Sequence, residues 1–217
     1  MKIGVLGTGM VGQAIGTKLI ELGHEVKMGS REAGNENAAA WAAAASDGAS
    51  EGSFANAAAQ GELVFNCTAG TASLQALELA GAKNLDGKVL VDVANPLDFS
   101  GGMPPTLSVC NDSSLGEQIQ AAFPRVKVVK ALNTMNCQVM VDPSRVPGGH
   151  VVLIAGEDAE AKRRVTALIG SFGWPEDRVR DLGGIAAARG SEMFVPLWLT
   201  LFGQLGTGDF NIAFEIA

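Results

Sequence analysis

Two residues into the chain, a short apolar run, Lys2-Ile3-Gly4-Val5-Leu6, leads into Gly7-Thr8-Gly9-Met10-Val11-Gly12 with G-x-G-x-x-G spacing. No other stretch restricts the fold as strongly, because each glycine has its own geometric task. The first permits a tight turn, the second lets backbone approach a diphosphate, and the third lets the following helix pack closely on the strand. The chain is thereby committed to a strand, turn and helix whose N-H groups and positive dipole end meet an anion. Gly7, Thr8, Gly9, Met10, Val11 and Gly12 are the expected cradle of a dinucleotide.

Beyond this unit, β-rich runs alternate with helical stretches. Strands are expected at Lys2–Leu6, Glu25–Met28, Leu63–Asn66, Lys88–Val93, Val126–Ala131, Val151–Ala155 and Val179–Asp181. Most are continuous Val/Ile/Leu runs, as a sheet covered on both faces requires. Helices are expected at Met10–Leu22, Asn37–Ser46, Thr71–Ala80, Ser114–Ala122 and Asp158–Phe172, with one last helix across Ile185–Gly206. Between Asn95 and Ser114, Pro96, Gly101, Gly102, Pro104 and Pro105 mark an irregular excursion of a length that often carries function. Residues Phe210–Ile216 read as an extended tail against the body or a partner subunit.

The expected fold class is α/β: a Rossmann-like, doubly wound, mainly parallel sheet with a short C-terminal helical extension. Residues 1–182 form the NADP-binding domain in this reading, and 183–217 form the helix and tail. Only about 35 residues follow the last core strand, too few for a separate substrate domain.

The end of the second strand selects the dinucleotide. A site for NAD usually places a carboxylate there to hold the ribose 2′-hydroxyl, whereas this chain reads Met28-Gly29-Ser30-Arg31. A carboxylate would repel a 2′-phosphate; the Ser30 hydroxyl and the Arg31 fork can hydrogen-bond it, so NADP(H) is preferred. Glu32 and Glu36 nearby weaken that preference, and the competing reading makes Ser30 a helix cap and Arg31 a solvated side chain.

Composition removes several other chemistries. The chain has no tyrosine, which excludes a phenol as proton donor, including the Tyr-x-x-x-Lys arrangement. His24 and His150 stand far apart in no metal-binding spacing, and Cys67, Cys110 and Cys137 form no C-x-x-C pair, so no metal site is expected. A net charge of -7 argues against a nucleic-acid partner. The N-terminal run is interrupted by glycines, unlike a signal peptide, and Met193–Leu205 is shorter than the ~20 residues of a membrane span. A cytoplasmic protein with reduced thiols and no membrane partner is expected.

With these residues in hand, the chain resembles the NADP oxidoreductases that serve the deazaflavin coenzyme F420, and also the cytosolic oxidoreductase domain of the membrane metalloreductases. The likeness rests on Gly7 to Gly12, Gly29-Ser30-Arg31, Asn66-Cys67-Thr68-Ala69, Asp92 to Pro96, Val129-Lys130-Ala131-Leu132-Asn133-Thr134 and Asp181-Leu182-Gly183. It implies a single Rossmann-like domain, often dimeric, in which NADPH passes a hydride to a stacked deazaflavin or flavin as small-molecule acceptor. Strand ends of an open α/β sheet face one crevice, so Thr68, Ala69, Asn95, Pro96, Asn133 and Thr134 are expected along the nicotinamide half. Glu32, Gly34, Asn35 and Glu36 stand where some members carry a further basic residue, and Asn133 where some carry His.

Ring-to-ring hydride transfer needs alignment rather than a strong protein acid. Asn133 and Thr134 are therefore the candidate catalytic positioning residues, with the satisfaction of turn backbone groups as the alternative role. His24 reads as a surface residue, His150 as a loop residue, and Arg189 and Glu192 as a helical pair. Met193, Phe194, Leu197, Trp198 and Leu201 form a helical stripe for core or dimer packing, with an acceptor-binding wall as the alternative and room for both uses. Three functions remain open: an NADPH-dependent deazaflavin reductase, a reductase of free flavin and through it ferric ion, and a non-catalytic NADP(H) sensor.

Overall fold

The structure is a computed structural model in which residues 1–45 and 47–215 are described. The first half alternates β1 (Lys2–Leu6), α1 (Met10–Glu21), β2 (Glu25–Ser30), α2 (Glu36–Ala44), β3 (Ala49–Ser53), α3 (Phe54–Gln60), β4 (Leu63–Asn66), α4 (Gly70–Ala80), α5 (Ala82–Leu85) and β5 (Val89–Asp92). A small hairpin follows, β6 (Leu97–Asp98) and β7 (Thr106–Leu107). Then come α6 (Leu115–Ala122), β8 (Lys127–Ala131), α7 (Cys137–Val141), β9 (Val152–Ala155), α8 (Ala159–Ser171), β10 (Val179–Asp181), α9 (Ala188–Met193) and α10 (Val195–Leu205).

Eight strands form one sheet in the order β10-β9-β8-β5-β4-β1-β2-β3. The pairs from β3 to β8 are parallel, and the sheet reverses direction between β8 and β9. Side chains alternate across it. Val5, Phe65, Val91 and Val129 pack with α1 and α8 residues such as Ile15, Leu19 and Val165. Leu6, Val64, Leu90 and Val128 pack on the opposite face with Phe54, Leu77 and Ile119. Burial on both faces explains why these strands are apolar throughout. Among the described residues no helix is long and apolar enough to cross a membrane.

The fold is the expected one, with several differences in its elements. Strand β3, Ala-Ser-Glu-Gly-Ser, has little β propensity; it is held as an edge strand by its pairing with β2 from Val26↔Ala49 to Ser30↔Ser53. Helix α3 begins at a reciprocal cap, where Ser53 and Asn56 each satisfy the other's backbone N-H. The excursion after Asn95 contains the β6–β7 hairpin, paired at Leu97↔Leu107 and Asp98↔Thr106.

The single last helix is instead a 3-10 turn at Ile185–Ala187 followed by α9 and α10, which meet at Phe194. Pro196 explains the second start, since it lacks an N-H and is tolerated only in a helix's first turn. The tail packs on the body: Val151 N-H donates to Ile212 O at 2.9 Å, and His150 bridges Ala213. The expected ends of α2 at Ser46 and of the tail at Ile216 fall outside the described residues.

Candidate functional site

The parallel strands β1, β2, β4, β5 and β8 end at one edge of the sheet, and the loops that leave them form a crevice. Two cavities lie along it, of about 600 Å³ and about 560 Å³, sharing the wall Cys67-Thr68-Ala69. The first is bounded by Gly7, Thr8, Gly9, Ser30, Arg31, Glu32 and Phe54. The second is bounded by Met10, Val11, Asn95, Asp98, Phe99, Asn133, Met135 and Trp198.

The glycine turn is built as its spacing predicts. Gly7 has φ +115, a conformation that strains any residue with a Cβ. A Cβ on Gly12 would lie 2.2 Å from Gly7 O, so helix and turn can touch only without one. A Cβ on Gly9 would meet nothing within 4 Å: that residue faces open space beside the start of α1. Helix α1 has no side-chain cap and no acidic residue in its first turn, which leaves its first N-H groups to an anion.

Ser30 is nearly buried, and its hydroxyl donates to the Glu32 carbonyl oxygen. It caps no helix: Asn35 caps α2 by accepting from Ala38 N-H at 3.1 Å. Arg31 is exposed on the first cavity, and its guanidinium pairs with no carboxylate among the described residues.

At the second cavity Asn133 and Asn95 form a reciprocal pair. Asn133 Nδ2 donates to Asn95 Oδ1 at 2.9 Å, and Asn95 Nδ2 donates to Asn133 O at 2.8 Å. Leu132, just before, adopts φ +64, a left-handed conformation costly for a leucine and of the kind that persists at functional sites. Asn133 Oδ1 is buried with no partner in the protein. An acceptor left unpaired in this way costs free energy unless a ligand donor meets it. Thr134 and Pro96 are buried beside this pair and line neither cavity, and Gly12 acts by packing rather than by contact.

Behind the crevice runs a buried polar chain. Thr68 Oγ1 donates to Asn66 Oδ1 at 2.7 Å, and Asn66 Nδ2 donates to Asp92 Oδ1 at 2.8 Å. Asp92 Oδ2 and Glu192 Oε1 each lie 2.7 Å from Lys130 Nζ. Lys130 Nζ also donates to Ala94 O at 2.5 Å, and Glu192 accepts from Leu115 N-H and Gly116 N-H at the start of α6. Burial alone would lower the Lys130 pKa; Asp92 and Glu192 outweigh it and raise it.

Glu192 is therefore not the partner of Arg189, which instead makes a two-pronged bond to Glu117 at 2.8 and 2.6 Å. The i,i+3 spacing suggested a local pair, but helix α9 points Glu192 into the protein. The sequence did carry a sign of this network: Asp92 and Lys130 each interrupt a strand that is otherwise apolar. His150 lies in the loop ahead of β9, as expected, and outside the crevice. It is buried, edge-on to Trp174 at 4.9 Å, hydrogen-bonded to Pro143 O and Asn211, and remote from both cavities' linings.

Proton donors are scarce in the crevice. Burial, and secondarily Asp92, pushes the Cys67 thiol well above its usual range. The Ser100 N-H holds the Asp98 carboxyl below its usual value. Neither group donates a proton readily near neutral pH.

Residues 2–96 match the family "NADP oxidoreductase coenzyme F420-dependent". Over all of both chains the structure is similar to a protein from Arthrobacter sp. FB24, provisionally assigned as an F420-dependent NADP reductase, with 48% identity and a TM-score of 0.90. Across 198 residues the sequence is 29% identical to metalloreductase STEAP3 of Rattus norvegicus; that covers 91% of this chain but only 37% of the relative. A hypothetical protein from Sinorhizobium meliloti, 22% identical over 87% of each chain with a TM-score of 0.65, shares the fold. The glycine turn, the crevice and the full-length likeness agree, and the chain belongs to the coenzyme F420-dependent NADP oxidoreductase family.

Proposed function

We propose that the protein passes hydride between NADPH and a deazaflavin coenzyme, F420, by aligning two rings without supplying an acid. The observation that carries this reading is the second cavity: apolar, adjoining the dinucleotide crevice across Thr68 and Ala69, with no Lys, His or Tyr in its lining. A ketone or imine reductase would need a proton donor at such a place.

The chain's own groups fit NADP(H). Gly7 to Val11 and the free end of α1 suit the diphosphate, and Ser30 and Arg31 suit the 2′-phosphate. The unpaired Asn133 Oδ1 suits the amide of the nicotinamide carboxamide, with Asn95 holding Asn133 in place. Bound NADPH would supply the hydride, and the deazaflavin would accept it. Thr68 and Ala69 form the shared wall, and the chain behind Thr68 fixes that wall's position. Met10, Met135 and Trp198 give the second cavity apolar wall against which a ring can pack.

A flavin acceptor is the second reading, supported by the likeness to a metalloreductase across 91% of this chain. NADPH oxidation by the purified protein, with F420, flavin mononucleotide and flavin adenine dinucleotide in parallel, tests both. Turnover with F420 supports the first, turnover confined to flavins supports the second, and tight NADPH binding with no turnover favours a sensor. We also propose a homodimer in which a second copy covers α10, where Leu197, Phe202 and Leu205 are 54%, 42% and 56% exposed. Light scattering at the mass of two chains is the expected result.

A further inference from the structure

The charge of the second cavity is as informative as its shape. Its lining contains no Lys, Arg or His and a single ionised side chain, Asp98. The β6–β7 hairpin presents this carboxylate: Asp98 pairs with Thr106 in the ladder, and its Oδ1 accepts from Ser100 N-H at 2.8 Å. No ion-pair partner neutralises it among the described residues. Phe99, 54% exposed, follows it on the same rim, and the rest of the wall is uncharged, mostly apolar with Thr68, Asn95 and Asn133 among its polar groups. Trp198 is held rigid there by stacking on Phe202 and Phe210 at centroid distances of 5.4 and 5.2 Å. Sites that hold phosphates usually set Arg or Lys beside converging N-H groups; here the uncapped start of α4 at Gly70 and Thr71 brings N-H groups to the lining with no cation beside them, and the positive end of α1 serves the first cavity.

We propose that the acceptor site selects an uncharged aromatic ring, and that Asp98 is the specificity-determining residue that keeps a phosphate-bearing tail out of the cavity. The inference rests on the reading of the second cavity as the acceptor site. A riboflavin-type ring without phosphate then binds better than its phosphorylated form, and a coenzyme with an anionic tail enters by its ring alone while the tail stays in solvent. A carboxylate within about 8 Å of a phosphate, at a partly solvated site, weakens binding about 3- to 10-fold, and salt relieves this. The reaction itself is balanced by solvent: NADPH, oxidised acceptor and one proton give NADP and the two-electron-reduced acceptor.

Riboflavin and flavin mononucleotide differ by one phosphate and serve as the probes. Their dissociation constants are measured with NADP present by quenching of tryptophan fluorescence, to which Trp198 in the cavity wall contributes. Their kcat/KM values are measured in parallel. The wild type should favour riboflavin about 3- to 10-fold at low salt in both measurements, and the ratio should shrink as salt rises. Asp98→Asn should bring the ratio toward one, and Asp98→Lys should invert it. Glu25→Gln removes the same charge at the opposite end of the sheet and should leave the ratio at its wild-type value. A wild-type preference for flavin mononucleotide, or a ratio that Asp98→Asn and Asp98→Lys do not move, would overturn the proposal. Binding of neither flavin alongside turnover of F420 would also overturn it while leaving the proposed hydride transfer intact. Turnover of no acceptor, with the predicted binding ratio present, would defeat the hydride transfer and leave the charge selection standing.

Discussion

Lys130 Nζ stands 2.7 Å from Asp92 Oδ2 with the two side chains 1% and 0% exposed, and this pair ties the nucleotide crevice to the C-terminal helices. Asp92 continues through Asn66 to Thr68 on the cavity wall, while Lys130 continues through Glu192 to the start of α6. One buried cation thus faces two carboxylates, and the N-H groups of Leu115 and Gly116 stabilise the second.

Lys130→Met should leave both carboxylates buried without their cation, at a cost of about 3–5 kcal/mol. Urea unfolding monitored by far-UV circular dichroism gives the value. The pH dependence has a definite sign. Because the folded pKa of Lys130 is raised, its stabilisation is complete below lysine's ordinary 10.5 and is lost as pH rises through the folded value. The wild-type contribution of Lys130 should persist through neutral pH and be lost only in strong alkali; its loss near pH 8 would refute the assignment.

Gly9→Ala and Gly12→Ala should separate binding from folding. The new methyl at residue 9 stands in open space where the diphosphate would lie, so NADPH affinity should fall at least ~10-fold with little change in Tm. At residue 12 the methyl would be 2.2 Å from Gly7 O, so Tm should fall as well. Thermal scans with and without NADPH distinguish the two outcomes.

Arg31→Ala should weaken NADPH by about 10- to 100-fold, the worth of a charge-assisted hydrogen bond, and leave NADH nearly unaffected. Fluorescence titration of both nucleotides reads the ratio. An unchanged preference for NADPH would remove Arg31 from the 2′-phosphate site.

How much of this was legible in the sequence depends on whether the cause is local. The glycine turn and the apolar strands could be read directly, because turn geometry and burial on two faces each leave a mark within a few residues. Strand β3 could not, since Ala49–Ser53 becomes a strand through its neighbour β2 rather than through its own propensity. Glu192 was misassigned to Arg189 because i,i+3 spacing reports a helix surface and says nothing of which face is buried. Asp98 and Trp198 reach one cavity from segments about a hundred residues apart, and only the folded chain brings them together.

Hydride passing directly between the rings, with no protein acid, is the central claim. The most direct test uses NADPH carrying deuterium at both nicotinamide C4 positions in a single turnover with oxidised F420 in ordinary water, because the ring carbon that receives the hydride does not exchange with solvent. Mass spectrometry of the reduced deazaflavin should find the deuterium retained. Reduced deazaflavin without the label, or labelled NADPH that binds and is never oxidised, would contradict it.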